Sequence, residues 1–254
     1  MTIAVDARPR QAVEARYFYV GMAACCMAIA FLGFAPTYWR PLAAGTFKAN
    51  PVIHIHGLVF FSWTLFFLVQ TWLVASGHTA RHRSVGLIGI SLATAMTMLG
   101  VMATINQAKG AIAIGQADAG KAFAIVPLGA IAFFAVTVAI AIANVRRPEV
   151  HRRLMLLASI SILDAPIARW FLTFLAPPGP LGPPPVAVDM GPTAVTWLLL
   201  GFAIAHDWRR IGRPHPAYLI GGAALIALKL VQIPLSATAG WKSAAEWLIG
   251  LAGQ

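Results

Sequence analysis

Seven long apolar stretches recur along this 254-residue chain, and they constrain its fold more than any other feature. Each is near the ~20 residues that a helix needs to cross the hydrocarbon core of a bilayer. Hydrophobic residues make up 59% of the chain and charged residues 11%, too few to cover a soluble globule of this length. We therefore exclude a soluble enzyme and predict an all-α integral membrane protein. The seven transmembrane helices of the predicted bundle lie at 17–36, 52–75, 85–105, 122–144, 154–176, 190–206 and 217–236.

The apolar stretches divide the chain into three parts. A polar N-terminal segment, 1–16, precedes the transmembrane domain, 17–236, and a tail, 237–254, follows it. The tail is apolar on part of its circumference but contains Lys242 and Glu246, which predicts a helix lying at the membrane interface. The chain contains no short motif typical of a hydrolase, a phosphate-binding loop or a metalloprotease, and the sequence assigns no catalytic residue and no metal site.

Basic residues indicate the orientation of the bundle. Twelve of them fall at the N-terminus and in the connections that share its side, against five on the opposite side. Positive loops stay in the cytoplasm. We therefore expect a multi-pass protein of the bacterial inner membrane, with a cytoplasmic N-terminus and a periplasmic C-terminus. Its expected surroundings are the lipid bilayer and other membrane subunits, and nucleic acid is not an expected partner.

The connection 176–192 contains seven prolines and almost no charge. Proline favours an extended, stiff backbone and removes hydrogen-bond donors. The sequence predicts either a rigid spacer between two helices or a roof over a cavity beneath it.

Besides histidines, three charged residues lie inside predicted helices, where burial of charge is costly and often functional. Asp164 is near the middle of the fifth helix, and Arg169 follows it about 140° around the helix, too far for a pair on one face. Pro166 lies between them and should kink this helix by freeing the carbonyl of Ile162. Lys229 shares a face of the seventh helix with Gly222, Leu225, Gln232 and Ser236, and we expect this face to point into the bundle.

Two histidines open the second helix, in the segment Pro51-Val52-Ile53-His54-Ile55-His56. Residues two apart on a helix point to nearly opposite sides, so His54 and His56 would bind one metal only if this segment were unwound. Together with Arg169 and Lys229 they are expected in the outer half of the bundle, with Asp164 at the midplane. Such a cavity would be positively charged and would hold an anionic ligand. The alternative is a structural salt bridge from Asp164 to Arg169 or Lys229.

A second candidate site lies on the predicted cytoplasmic side. His82 and His151 each stand in a His-Arg pair directly before an apolar stretch. Two histidines on facing helices at one depth are how a helical bundle holds a b-type haem. The alternative is that the neighbouring arginines anchor the helices to lipid phosphates.

Short motifs also carry a resemblance. His56-Gly57, Gln70-Thr71, His82-Arg83 and His151-Arg152-Arg153-Leu154-Met155 together resemble a broad group of bacterial multispanning proteins. The last motif is similar to one in small membrane proteins implicated in the assembly of haem-copper oxidases. The resemblance implies a role near respiratory or haem chemistry, with respiratory-chain subunits as partners, and it transfers no catalytic residue.

The sequence thus leaves three functions open. The first is a haem-associated redox protein with haem b bound by His82 and His151. The second is a transporter or receptor for a small anion, with Arg169 and Lys229 recognising charge and His56 and Asp164 linking binding to a proton. The third is a non-catalytic assembly subunit.

Overall fold

A computed structural model describes residues 8–176 and 182–251 of the protein, and all regular structure in these ranges is helical. Seven helical spans are long and apolar enough to cross a membrane. The predicted seven-helix bundle is therefore confirmed. The spans are α1 (Tyr17–Ala43), α2 (Pro51–Ala75), α3 (Thr79–Ala113), α4 (Ala117–Ala143), α5 (Pro148–Phe174), α6 (Val186–Ile211) and α7 (Pro216–Ser236). An eighth helix, α8 (Ala239–Leu251), lies in the predicted interfacial tail.

Several spans extend beyond the apolar stretches that predict them. The helix at the start of α1 begins at Arg8, within the predicted polar segment 1–16. Span α3 begins at Thr79 and runs to Ala113, well outside 85–105. A helix continues past its apolar stretch because each added residue gains one backbone hydrogen bond once the helix has nucleated.

Span α5 is the central element of the bundle. In its most apolar stretch 61% of the residues are buried, against 17–39% in the other spans. It packs against α1, α4, α6 and α7. It also meets α2 through a hydrogen bond from Nε1 of Trp63 to Oγ of Ser159, 3.3 Å long, and α3 through the rings of His82 and His151. Polar residues on α5 are therefore within reach of every other span.

Four spans are interrupted, and one of them is α4, which consists of helices Ala117–Phe123 and Ile125–Ala143. Span α5 consists of helices Pro148–Ser161 and Asp164–Phe174, separated at 162–163. The break falls where Pro166 is expected to free the carbonyl of Ile162. Span α1 contains a π-helical turn, Ala35–Trp39. Span α6 opens with a 3₁₀ turn, Val186–Asp189, followed by the helix Met190–Ile211.

The connection 176–192 is not extended throughout, as its prolines predict. Residues 177–181 lie outside the described part of the chain. From Val186 onward the backbone is helical, and Pro192 lies in the first turn of a helix. Proline is tolerated in a first turn because the amide hydrogens there have no partner in the helix.

Candidate functional site

An ionic cluster lies inside the bundle between α5, α6 and α7. The ammonium group of Lys229 is 2.5 Å from Oδ2 of Asp164 and 2.7 Å from Oδ2 of Asp189. All three side chains are at most 7% exposed. We call these three residues, with Thr193, Thr196 and Gln232, the interior centre.

The interruptions of the helices place both carboxylates. Asp164 is the first residue of the second helix of α5, directly after the break. Asp189 ends the 3₁₀ turn of α6. Lys229 lies in an unbroken part of α7, on the predicted face, and the other four residues of that face are also buried. The centre is therefore built by two irregular segments closing on one regular helix.

Hydroxyl and amide groups complete the interior centre. Thr196 donates to Oδ1 of Asp164 over 2.9 Å, and Thr193 donates to Oδ2 of Asp164 over 3.2 Å. Nε2 of Gln232 donates to Oδ2 of Asp189 over 3.1 Å. Oε1 of Gln232 is buried and has no hydrogen-bond partner among the described residues. The polar groups thus converge on the carboxylates as donors.

The charges of the interior centre do not cancel. One ammonium group faces two carboxylates, and the other members are neutral. With all three groups ionised the centre carries one excess negative charge in a region shielded from water. Burying such a charge is expensive. Uptake of a proton or a small cation would neutralise the centre, whereas Lys229 already has two anionic partners and is not free to bind an added anion.

Arg169 is placed apart from the interior centre. Its guanidinium lies 5.8 Å from the centre of the Phe34 ring, beside the π-helical turn of α1. Its side chain is exposed, and no acidic residue in the described ranges forms an ion pair with it. The structural salt bridge that the sequence allows is therefore formed by Asp164 with Lys229 and not with Arg169.

His54 and His56 lie on the same side of the bundle as Arg169, and they do not converge on one point. Span α2 is helical from Pro51, so the segment is not unwound as a shared metal would require. Nδ1 of His54 is 3.2 Å from the hydroxyl of Tyr38. His56 packs on Phe60 with ring centres 4.1 Å apart, and its Nδ1 is buried without a hydrogen-bond partner in the described ranges. His56 is close enough to Arg169 for electrostatic interaction.

His82 and His151 do meet. Their ring centres are 6.3 Å apart and the ring planes are inclined by 74°. Nδ1 of His151 is 2.9 Å from the carbonyl oxygen of Ala141, so this nitrogen is the donor and Nε2 carries no proton in the neutral ring. Nδ1 of His82 is buried without a hydrogen-bond partner among the residues that the structure describes. The two histidines at equivalent positions of the sequence therefore form one pair between α3 and α5.

A second ionic network lies at the same end of the bundle as this histidine pair. Arg153 is completely buried, and its Nε and Nη2 donate to the two oxygens of Asp207 over 2.6 and 2.8 Å. Nη1 donates to Oε2 of Glu149 over 2.6 Å, and Arg152 pairs with the same carboxylate. We call these four residues the balanced network, because two arginines face two carboxylates. The prediction that this arginine pair anchors lipid phosphates is wrong for Arg153.

Asp189 is absent from the sequence-based candidates, because it lies in the proline-rich connection, which the sequence places outside the helices. Asp207 directly follows His206 at the end of the sixth predicted helix, and the sequence places both beside His82 and His151 on the predicted cytoplasmic side. The pairing of Asp207 with Arg153 is not predicted. A search for carboxylates near the predicted helix ends would have found Asp189, since buried lysine and arginine need anionic partners.

No protein-family model, curated protein or solved structure matches this chain.

Proposed function

We propose that this protein is a proton-coupled membrane transporter in which the interior centre binds the proton. The observation that carries the proposal is the excess carboxylate: Asp164 and Asp189 share the single ammonium group of Lys229 inside the bundle. Ionisable groups that line such interiors form proton relays in pumps and transporters. The centre is neutral with one proton bound and negative without it.

The construction of the centre supports a change of conformation on proton binding. Both carboxylates stand on interrupted segments, the break in α5 and the 3₁₀ turn of α6. Transporters commonly place their binding sites at discontinuous helices near the membrane midplane. A proton on either carboxylate weakens its attraction to Lys229, so the two segments and α7 are held together less strongly in that state.

Arg169 supports a small anion as the transported substrate. Arg169 is an exposed residue whose guanidinium group lacks an acidic partner among the described residues, and it stands on the same broken span as Asp164. Guanidinium groups bind carboxylates and phosphates with two parallel hydrogen bonds. His56, close to Arg169 and with a free buried nitrogen, is a further polar group on this side. In this proposal Arg169 binds the anion and Lys229 belongs to the proton site.

Transport is tested in vesicles that hold the purified protein and a pH-sensitive dye. Sulfate, phosphate and succinate cross lipid poorly, so we expect at least one of them to acidify the interior only when the protein is present. Arg169→Gln and Asp164→Asn should abolish this acidification. Asp118→Asn is the matched control, because Asp118 is an exposed aspartate paired with exposed Lys242. Wild-type vesicles that remain at constant pH with all three anions would contradict the proposal.

The proton site is tested without a substrate by infrared titration. A protonated carboxyl group in a dry interior gives a band that a carboxylate lacks. We expect one such band to grow as the pH falls and to disappear in Asp164→Asn or Asp189→Asn, but not in Asp118→Asn. A spectrum without a protonated carboxyl group at any pH where the protein is folded would exclude proton binding at the centre.

A second candidate function rests on the histidine pair, which favours a haem-associated redox protein. An imidazole nitrogen lies about 2 Å from a metal that it binds, so two rings on opposite sides of one iron have centres roughly 6 Å apart. The observed separation is 6.3 Å. The contact of His151 with the carbonyl of Ala141 is also the kind that orients a ligating histidine. Haem b is the group that His82 and His151 would hold.

The visible spectrum of the purified protein, before and after dithionite, tests this second candidate. Bound haem would give an intense Soret band whose companion bands sharpen on reduction. His82→Ala and His151→Ala should each remove it, whereas His78→Ala, in an exposed connection, should not. A colourless protein from cells supplied with haem would exclude this candidate and leave the transport proposal unaffected.

The charge distribution supports placing the protein in a bacterial inner membrane with its N-terminus in the cytoplasm and its C-terminus in the periplasm. The twelve basic residues that share the N-terminal side include those beside the balanced network. Alkaline phosphatase fused after Ala113 should be active, since that connection faces the periplasm, and a fusion after Asn144 should be inactive. The reverse pattern would invert the orientation.

A further inference from the structure

A cleft of about 690 Å³ opens on the outside of the bundle between α4 and α7. Its walls are Leu128, Gly129 and Ala132 from α4 and Ala224 and Leu228 from α7, and Trp241 of α8 lies at its margin. We call it the α4–α7 groove. Trp241 is fixed there, because its Nε1 donates to the carbonyl of Lys121 over 2.9 Å. The volume is in the range of pockets that hold small organic molecules.

Among the described residues that line this cleft, Gln232 is the one with a side-chain amide, and it also belongs to the interior centre. Its Nε2 donates to Asp189, on the inner side. Its Oε1 is buried, has no partner in the described part of the chain, and faces Gly129: a methyl group on Gly129 would lie 3.5 Å from it. The side chain as a whole is 1% exposed. The groove therefore ends at an unpaired acceptor.

An unpaired buried acceptor is destabilising, and a ligand removes this cost by donating a hydrogen bond to it. The ligand must reach the groove through lipid, so most of it must be apolar. It must also be uncharged or cationic, because the neighbouring interior centre carries excess negative charge. An acceptor such as a ketone or an ether oxygen would not satisfy Oε1.

We propose that the α4–α7 groove binds a lipid-soluble alcohol or phenol, whose hydroxyl group donates to Oε1 of Gln232 while its apolar body lies between α4 and α7. Small residues on both walls, Gly129, Ala132 and Ala224, leave the space that this body occupies. The site stands independently of proton-coupled transport. Because Gln232 also binds Asp189, an occupied groove would contact the same amide that holds one carboxylate of the interior centre.

Binding is tested with 4-octylphenol and its methyl ether, 4-octylanisole, added to the protein in phosphatidylcholine nanodiscs. The two probes have the same apolar body, but the ether has no hydroxyl donor. We expect saturable calorimetric binding of the phenol above the partitioning into empty nanodiscs, and binding of the ether about tenfold weaker. Gln232→Leu should abolish the difference between the probes.

Two glycine variants locate the site. Gly129→Val places methyl groups against Oε1 of Gln232 and should weaken phenol binding about tenfold, by occlusion. Gly21→Val is the matched control, since Gly21 has open space around it on α1, and it should bind like the wild type. Equal affinity for the two probes would overturn the proposal and show a cleft that holds only acyl chains. Failure of wild-type binding, or unchanged binding in Gln232→Leu, would overturn it too.

Discussion

The balanced network and the interior centre both bury a cation among carboxylates, yet they differ in the balance of charge. In the balanced network Arg153 binds both oxygens of Asp207, and Arg152 and Glu149 bring the charges to two against two. In the interior centre one lysine faces two aspartates. Arginine stays charged and fixes geometry through its planar fork, whereas lysine is a point charge that tolerates rearrangement.

The backbone is regular around the balanced network and interrupted around the interior centre. Arg153 and Asp207 stand inside regular helices, Pro148–Ser161 and Met190–Ile211. Asp164 and Asp189 stand at a break and at the end of a 3₁₀ turn. The balanced network therefore joins α5 to α6 at two regular helices. The interior centre leaves one negative charge uncompensated where two spans are interrupted.

The largest expected effect comes from removing the cation of the balanced network. Arg153→Met should lower the free energy of unfolding by about 3–5 kcal/mol, because Asp207 is left buried and unpaired. Equilibrium unfolding in mixed micelles measures this. Arg209→Met is the matched control, an exposed arginine of the same region, and should change stability little. An Arg153 variant as stable as the control would mean that the network does not hold the two spans together.

Replacing one aspartate in each cluster by asparagine tests most directly whether the two clusters differ in charge balance. Asp207→Asn removes the bidentate partner of a buried arginine and should cost about 3 kcal/mol. Asp189→Asn leaves Lys229 with Asp164, a neutral pair, and should cost less than about 1 kcal/mol. Both substitutions are isosteric, so the difference reports charge. The same unfolding assay measures both variants. If Asp207→Asn and Asp189→Asn lower the free energy of unfolding equally, Asp189 is needed for stability and the centre has no excess charge.

Local features of the sequence predict the spans and part of the centre. Apolar length alone determines the number of membrane-crossing helices, and an ionisable residue in such a helix is conspicuous, which is why Asp164 and Lys229 are found from sequence. Their pairing depends on how α5 and α7 are rotated against each other, which no local pattern encodes. The break in α5 is predicted from Pro166 alone. The position of Asp164 opposite Lys229 depends on the packing of α5 against α7, which local sequence does not predict.

Asp189 and Arg153 could not be assigned to buried ion pairs from sequence, because their burial also depends on how the spans pack. Asp189 is preceded by prolines that favour extended backbone. In the structure the 3₁₀ turn at the start of α6 lies against α7, where Asp189 meets the buried ammonium group of Lys229. Arg153 stands in a basic motif that suits a membrane surface equally well. Only the packing of α5 at the centre of the bundle makes that position buried.

An intermediate effect is expected at the contact that supports the break in α5. A methyl group on Gly33 would lie 2.5 Å from Cβ of Pro166, which leaves no room for it. Gly33→Ala should therefore cost about 1–3 kcal/mol through overpacking. Gly21→Ala, on the same span in open space, should be neutral or slightly stabilising, since alanine favours a helix. If Gly33→Ala were neutral as well, the segment after the break would have freedom to move away from α1.

The smallest expected effect is a pH dependence beside the balanced network. His215 caps α7 by accepting a hydrogen bond from the backbone N–H of Ala217 at its Nδ1, over 3.1 Å. Burial lowers the pKa of His215, and the positive charge of Arg153 lowers it further. A lowered pKa in the folded protein means that the neutral ring is favoured there. The cap's contribution is then complete above the unfolded pKa of about 6.5 and is lost as the pH falls through the lower folded value.

This loss should be below about 1 kcal/mol, as for a single helix cap. Melting curves between pH 8 and pH 5 measure it as the difference between the wild type and His215→Asn, since asparagine accepts the same hydrogen bond at every pH. The variant should lose less stability on acidification than the wild type does. His215→Ala lacks the cap throughout and should start lower at pH 8. Parallel pH curves for the wild type and His215→Asn would exclude His215 as the titrating group.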